Sequence, residues 1–281
     1  MKKFSLFILL AYSFAGFSQD DITICHTPAT EKFALFASNK SFNAEHQIPR
    51  KYVHETLAGG KMIQLDCNDG VNANAFLIKA KKKSNNWIFV FQEWWGLNDN
   101  IKRQSEELYE ALGHSVNIIA LDMYDGKVAT TRENAGKYMQ EFKAVRGESI
   151  VKGALSLAGT DARIGTIGWC FGGGLSLQAA LIAGPQTVGC VMYYGMPEEN
   201  VEKLKALNSD VLNIWPTQDQ WINKAVMDKF ENNMKTAGKA LTVKAYDAGH
   251  GFANPSNPTA YDEEAYNDAT KHMLAYFKSK F

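Results

Sequence analysis

Between Arg163 and Leu177 the sequence admits few backbone paths. Arg163-Ile164-Gly165-Thr166-Ile167 reads as a strand, Gly168-Trp169-Cys170-Phe171-Gly172 sets one cysteine midway between two glycines, and Leu175-Ser176-Leu177 continues a helical pattern. A strand that turns straight into a helix holds its apex residue in a strained backbone region, and flanking β-carbons would collide with that apex and with the helix. Gly168 and Gly172 remove those carbons. Cys170 then lies at a helix N-terminus, where the helix dipole favours the thiolate, the form that attacks. The segment therefore predicts a presented nucleophile with sulfur in place of oxygen. A buried structural cysteine is one alternative, and a phosphate-cradling loop is another, although no lysine follows the glycines.

Around this turn, β-rich runs alternate with helical patterns from Lys61 onward. Strands are expected at 62–67, 73–80, 87–91, 116–121, 163–168, 188–193, 211–215 and 241–246, and helices at 99–112, 132–158, 172–183, 220–236 and 259–278. Two early strands followed by β-α alternation predict an α/β fold, a mainly parallel central sheet with helices on both faces. Residues 19–60 are polar and weakly periodic and end in Ala58-Gly59-Gly60; they are read as an extension with one helix around 30–40 that packs on the body.

The chain has 281 residues, 46% of them hydrophobic, enough for one large core in residues 61–281. Thirty basic residues balance thirty acidic ones, so no excess positive field invites nucleic acid or an anionic membrane surface. Lys2 and Lys3 ahead of the short apolar run 4–12 read as an export signal ending near residue 18, which makes the expected location periplasmic or extracellular, with no membrane span in the mature chain. In an oxidising compartment Cys25, Cys67, Cys170 and Cys190 invite disulfides, but a nucleophile must stay reduced. The one bridge entertained is Cys25 to Cys67.

A thiol nucleophile needs a base for its proton and an acid for the leaving alkoxide, and histidine serves both near neutral pH. His250 follows the last strand in Asp247-Ala248-Gly249-His250-Gly251-Phe252, where a loop at the carboxyl edge of the sheet would bring it over the turn. His26, His46, His54, His114 and His272 have no such setting. The orienting carboxylate is expected after the strand 211–215, in Pro216-Thr217-Gln218-Asp219, so Asp219 completes a Cys170, Asp219, His250 triad; its competing use is as the cap of a helix from Gln220.

These residues resemble the dienelactone hydrolase family of α/β-hydrolases, from about Lys61 to the C-terminus. The matching motifs are Phe91-Gln92-Glu93-Trp94-Trp95-Gly96, Gly168-Trp169-Cys170-Phe171-Gly172-Gly173, Tyr193-Tyr194-Gly195, Asp219 after its strand, and Gly249-His250-Gly251-Phe252. The resemblance implies that Glu93 contacts the resting thiol and aids its activation, and that the backbone N–H groups of Trp94 and Phe171 form the oxyanion hole. It also implies substrate contacts from Trp95, Tyr124, Trp169 and Tyr194, a small ester or lactone as substrate, and no metal or organic cofactor. Trp221 joins Trp94, Trp95 and Trp169 in flanking the expected site, which reads either as an aromatic-lined pocket or as ordinary core packing of some of these indoles. Where well-studied members grip a substrate carboxylate with arginines, this chain has Gly126 and Asn254, with Lys127 the only nearby cation to substitute. Rival readings are an acyltransferase or peptidase, a non-catalytic binding protein on the same scaffold, and a thiol redox protein, which would lack the usual C-x-x-C pair.

Overall fold

A computed structural model describes residues 28–281. The expected signal segment and Cys25 lie outside the described residues. Two short helices, α1 (Ala29–Ala34) and α2 (Lys40–Glu45), are joined by a 3-10 turn at Leu35–Ser38. The body follows as β1 (Lys61–Leu65), β2 (Ala73–Ile78), β3 (Asn86–Phe91), α3 (Asp99–Ala111), β4 (Asn117–Leu121), α4 (Arg132–Glu141), α5 (Ala144–Ala158), β5 (Arg163–Trp169) and α6 (Phe171–Ala183). It continues as β6 (Thr187–Tyr193), α7 (Val201–Lys205), β7 (Val211–Pro216), α8 (Lys224–Thr236), β8 (Leu241–Tyr246) and α9 (Glu263–Lys280).

The eight strands form one sheet in the order β1-β2-β4-β3-β5-β6-β7-β8. β2 pairs antiparallel with both β1 and β4, and β3 through β8 run parallel. The α/β class and the mainly parallel sheet expected from the sequence are thus present. Buried on both faces, the central strands read as near-continuous apolar runs, Ile88-Phe89-Val90-Phe91 and Ile118-Ile119-Ala120-Leu121 among them. Alternation within β5 assigns the two helical layers. Thr166 meets Ser176 of α6 at 3.0 Å, whereas a β-carbon on Gly165 would lie 2.9 Å from the Phe277 ring of α9.

Three helix boundaries differ from expectation for physical reasons. The single helix expected over 132–158 breaks at Phe142, whose extended backbone (φ −59°, ψ 135°) turns its ring inward to an edge contact with Phe171 at 5.2 Å. α8 starts at Lys224 and not Gln220, because Asp219 organises a preceding turn and Asn223 caps the helix by accepting from the Ala225 and Val226 amides. α9 starts four residues late, since Asn257 draws the Thr259 and Ala260 amides into its own turn and Asp262 takes the cap. The helix expected near 30–40 is two short helices that lie across the carboxyl edge of the sheet. Their phenylalanines, Phe33 and Phe42, are buried completely.

Candidate active site

Each residue proposed from the sequence as triad or auxiliary follows the carboxyl end of a parallel strand: Glu93 after β3, Cys170 after β5, Asp219 after β7 and His250 after β8. In such sheets that edge is where ligands meet the protein. Cys170 occupies the apex of the turn with φ 57° and ψ −120°, a region that L-residues rarely adopt. The strain is held by close backbone packing. A β-carbon at Gly168 would sit 2.0 Å from the Gly172 carbonyl oxygen, and one at Gly172 would sit 2.4 Å from the Phe91 carbonyl oxygen. The Cys170 amide is tied to the Tyr193 carbonyl at 3.0 Å.

His250 Nδ1 donates to Asp219 Oδ2 at 2.7 Å, with both side chains buried. Asp219 does not choose between orienting and capping: its other oxygen accepts from the Trp221 and Ile222 amides at 2.8 and 3.0 Å. Burial works against the Asp219 carboxylate, but the His250 imidazole and those two amides hold its pKa below the usual range. Burial likewise opposes charge on His250, and the Asp219 carboxylate and Cys170 sulfur outweigh it, carrying the imidazole well above its ordinary value. The Cys170 thiol is raised by burial, partly countered by His250 and by the Phe171 amide. His250 Nε2 has no hydrogen-bond partner among the described residues, yet it lies within 4.8 Å of the sulfur.

The sulfur's nearest imidazole is one that the sequence reading set aside. His46, from the segment after α2, places Nε2 at 3.7 Å from Cys170 Sγ, and its Nδ1 donates to the Phe42 carbonyl at 2.7 Å. Burial first, and the neighbouring His250 second, lower its pKa to about 3, so the ring is neutral. His46 lacks the strand-edge loop setting of His250, and a contact spanning 124 residues leaves no local pattern in its place. A signal did exist in Phe33, Phe36 and Phe42, three aromatics within ten residues of an otherwise polar extension. Phe36 and Phe42 pack on Trp221, Phe42 also on Trp94, and Trp221 Nε1 donates to Glu45 Oε2 at 2.7 Å. Under this cover Cys170 is only 2% exposed.

Glu93 also departs from its expected partner. Its Oε2 accepts from Asn254 Nδ2 at 2.5 Å, and Asn254 is itself fixed by Ser256, so the carboxyl is held by Asn254 while His46 faces the thiol. Burial pushes Glu93 up to about 7 even with His250 and Asn254 favouring its anion. The Trp94 and Phe171 amides donate to no carbonyl or side-chain oxygen among the described residues.

The dienelactone hydrolase family model matches residues 73–281, nearly three-quarters of the chain and the whole set of strand-edge residues above. The chain belongs to this family. A carboxymethylenebutenolidase of Cupriavidus pinatubonensis is 24% identical over 234 residues, covering 77% of this chain and 97% of that protein. Protein usf of Aquifex pyrophilus is 25% identical over 230 residues, covering 78% of this chain and 98% of its own length. Among solved structures, a dienelactone hydrolase-like promiscuous phosphotriesterase from metagenomic libraries has a TM-score of 0.68 at 22% identity, covering 79% of this chain and 99% of the other.

For a dienelactone hydrolase family member, the flanking side chains divide into two groups. Tyr194 stands 4.9 Å from the His250 ring and Tyr124 stacks on Phe171 at 5.9 Å; both hydroxyls are buried without partners among the described residues. Trp95 packs edge-on to Trp94 at 5.0 Å. Trp169 is not brought to the thiol: by strand alternation it faces α3 and α9, stacks near Tyr193 and lines a separate cavity of about 60 Å³. Lys127 is not a substrate cation either, because it pairs with Glu141 at 3.0 Å on the surface. With Asn254 engaged by Glu93 and Gly126 lacking a side chain, neither expected arginine has a substitute. No helix among the described residues is long and apolar enough to cross a membrane.

Proposed function

We propose that this chain is an exported hydrolase that cleaves a small ester or lactone through an acyl-thioester on Cys170. The observation that carries the reading is the strained apex cysteine standing beside an imidazole whose far nitrogen is locked to a buried carboxylate at 2.7 Å. The Asp219 bond fixes the His250 tautomer with its Nε2 lone pair on the sulfur side. His250 takes the thiol proton, the thiolate adds to the carbonyl, and the Trp94 and Phe171 amides receive the oxyanion, at roughly 3 kcal/mol per donor. The imidazolium then protonates the departing alkoxide. A water deprotonated by the same nitrogen opens the thioester and restores the thiol. Glu93, whose pKa burial raises to about 7, is bonded to Asn254 and is assigned no step in this sequence.

Substrate has no room at the sulfur while His46 faces it, so turnover on this reading requires α2 and His46 to withdraw. The closed cover is also the observation that favours a second reading, a hydrolase scaffold retained for binding. Exposing the purified chain to a panel of activated esters, with mass spectrometry of the trapped intermediate, separates them. An acyl adduct on the Cys170 peptide, absent in Cys170→Ser and discharged by water, supports the hydrolase. Absence of any adduct across the panel, with Cys170 reduced and the fold intact, overturns it.

A further inference from the structure

Three buried donors converge at the sulfur: His46 Nε2, Cys170 Sγ and His250 Nε2, all within 4.8 Å of one another. Both imidazoles are oriented in the same sense. His46 Nδ1–H is spent on the Phe42 carbonyl and His250 Nδ1–H on Asp219, so each ring turns its Nε2 inward. A single proton between the sulfur and the two imidazoles has to serve both nitrogens. The sulfur reaches His46 at 3.7 Å and leaves His250 Nε2 unpartnered although buried. An orphaned buried nitrogen is costly, and a single proton cannot satisfy both rings.

We propose that His46, Cys170 and His250 form a binding site for a thiophilic divalent cation of the Zn²⁺ class. Tetrahedral zinc with Zn–S near 2.3 Å and Zn–N near 2.0 Å separates sulfur from nitrogen by roughly 3.5 Å. The Cys170–His46 separation of 3.7 Å already meets that spacing. With all three atoms within 4.8 Å, His250 needs a side-chain movement of about 1 Å to reach the same spacing. Each imidazole carries the oxygen partner on its other nitrogen that metal-binding histidines use to fix ring orientation. Charge selects a dication: the Cys170 thiolate and the Asp219 carboxylate behind His250 together neutralise two positive charges in a buried site. On binding, the Zn–S bond replaces the S–H bond and one proton leaves to solvent, while water takes the fourth position. The site depends on the closed position of His46 and not on hydrolysis, and with the cation seated the sulfur lone pair is unavailable for acyl chemistry.

The test uses the full chain, reduced and stripped with a chelator, then dialysed against Zn²⁺ with elemental analysis. One Zn²⁺ per chain is expected. His46→Gln should weaken binding by at least about 100-fold, the upper end of what losing even a supporting partner costs. Co²⁺ in place of Zn²⁺ should give a near-ultraviolet sulfur-to-metal charge-transfer band that is missing from the near-isosteric Cys170→Ser. No uptake, unchanged uptake in either variant, or a Co²⁺ complex without the sulfur band overturns the proposal. Acylation of the metal-free chain is scored separately, so a chain that acylates but binds no zinc sinks this site and leaves the hydrolase standing.

Discussion

Replacing Phe42 by alanine should open the thiol without touching it. The Phe42 ring is fully buried, 4.0 Å from the His46 ring and 5.3 Å from both Trp94 and Trp221. Truncating so enclosed an aromatic costs about 3–5 kcal/mol through lost transfer energy and the cavity left behind. The polar ties of the segment are weaker. Lys32 pairs with Glu199 at 2.8 Å, but both side chains are about a third exposed, and such a pair contributes under about 1 kcal/mol. The Glu45–Trp221 hydrogen bond is part-buried and adds on the order of 1–2 kcal/mol. Phe42, with the equally buried Phe33, therefore dominates the docking of the cover. At 1.4 kcal/mol per decade, its loss should raise the undocked fraction by at least about 100-fold, up to the ceiling of a fully open site. Alkylation by iodoacetamide, followed peptide by peptide, reads this directly. Cys190 is buried in β6 away from the segment and serves as an internal reference whose rate should not change. An increase at Cys170 of less than about tenfold in Phe42→Ala would assign under 1.4 kcal/mol to the ring and refute the cover as the barrier.

Asp219→Asn keeps an oxygen for the Trp221 and Ile222 amides, so the chain should fold, yet it removes the charge that stabilises the His250 imidazolium. Esterase turnover on the best activated ester should fall about 10³–10⁴-fold, and a loss below tenfold would remove Asp219 from the triad. Docking of the cover should depend on pH through His46, which faces His250, Cys170, Asp219 and Arg132. Its pKa falls from 6.5 to about 3 on burial. The undocked ring takes up a proton below 6.5 and the docked ring refuses it until about 3, so docking is fully stable above 6.5 and weakens as the pH falls between those values. Hydrogen exchange of residues 29–46, corrected for intrinsic rates, should accelerate from pH 7.5 to pH 5, and His46→Gln should flatten that dependence.

The sheet was legible because parallel strands buried on both faces must be apolar throughout, as Ile88–Phe91 and Ile118–Leu121 are. The elbow was legible for a steric reason: backbone atoms approach where Gly168 and Gly172 lack β-carbons, and no other residue fits. Helix ends were less so. Phe142 sits in an unbroken helical pattern, and only the tertiary demand for its ring against Phe171 breaks the backbone there. Trp169 adjoins Cys170 in sequence, but strand alternation sends neighbouring side chains to opposite faces, so adjacency to a nucleophile carries no information about lining its site.

His46 is the instructive miss. A histidine between glycines after a strand advertises a loop position, as His250 does; a histidine after a six-residue helix advertises nothing until that helix is docked. What docks it is aromatic burial, and the same burial that closes the site removes the charge from His46 and leaves its lone pair facing the sulfur. Sequence patterns report what each element needs from its nearest neighbours. Here the chemistry of the thiol is set by a segment whose own needs are met only by residues far along the chain, so a reader of the elbow alone would describe an accessible nucleophile where the folded chain holds a sealed one.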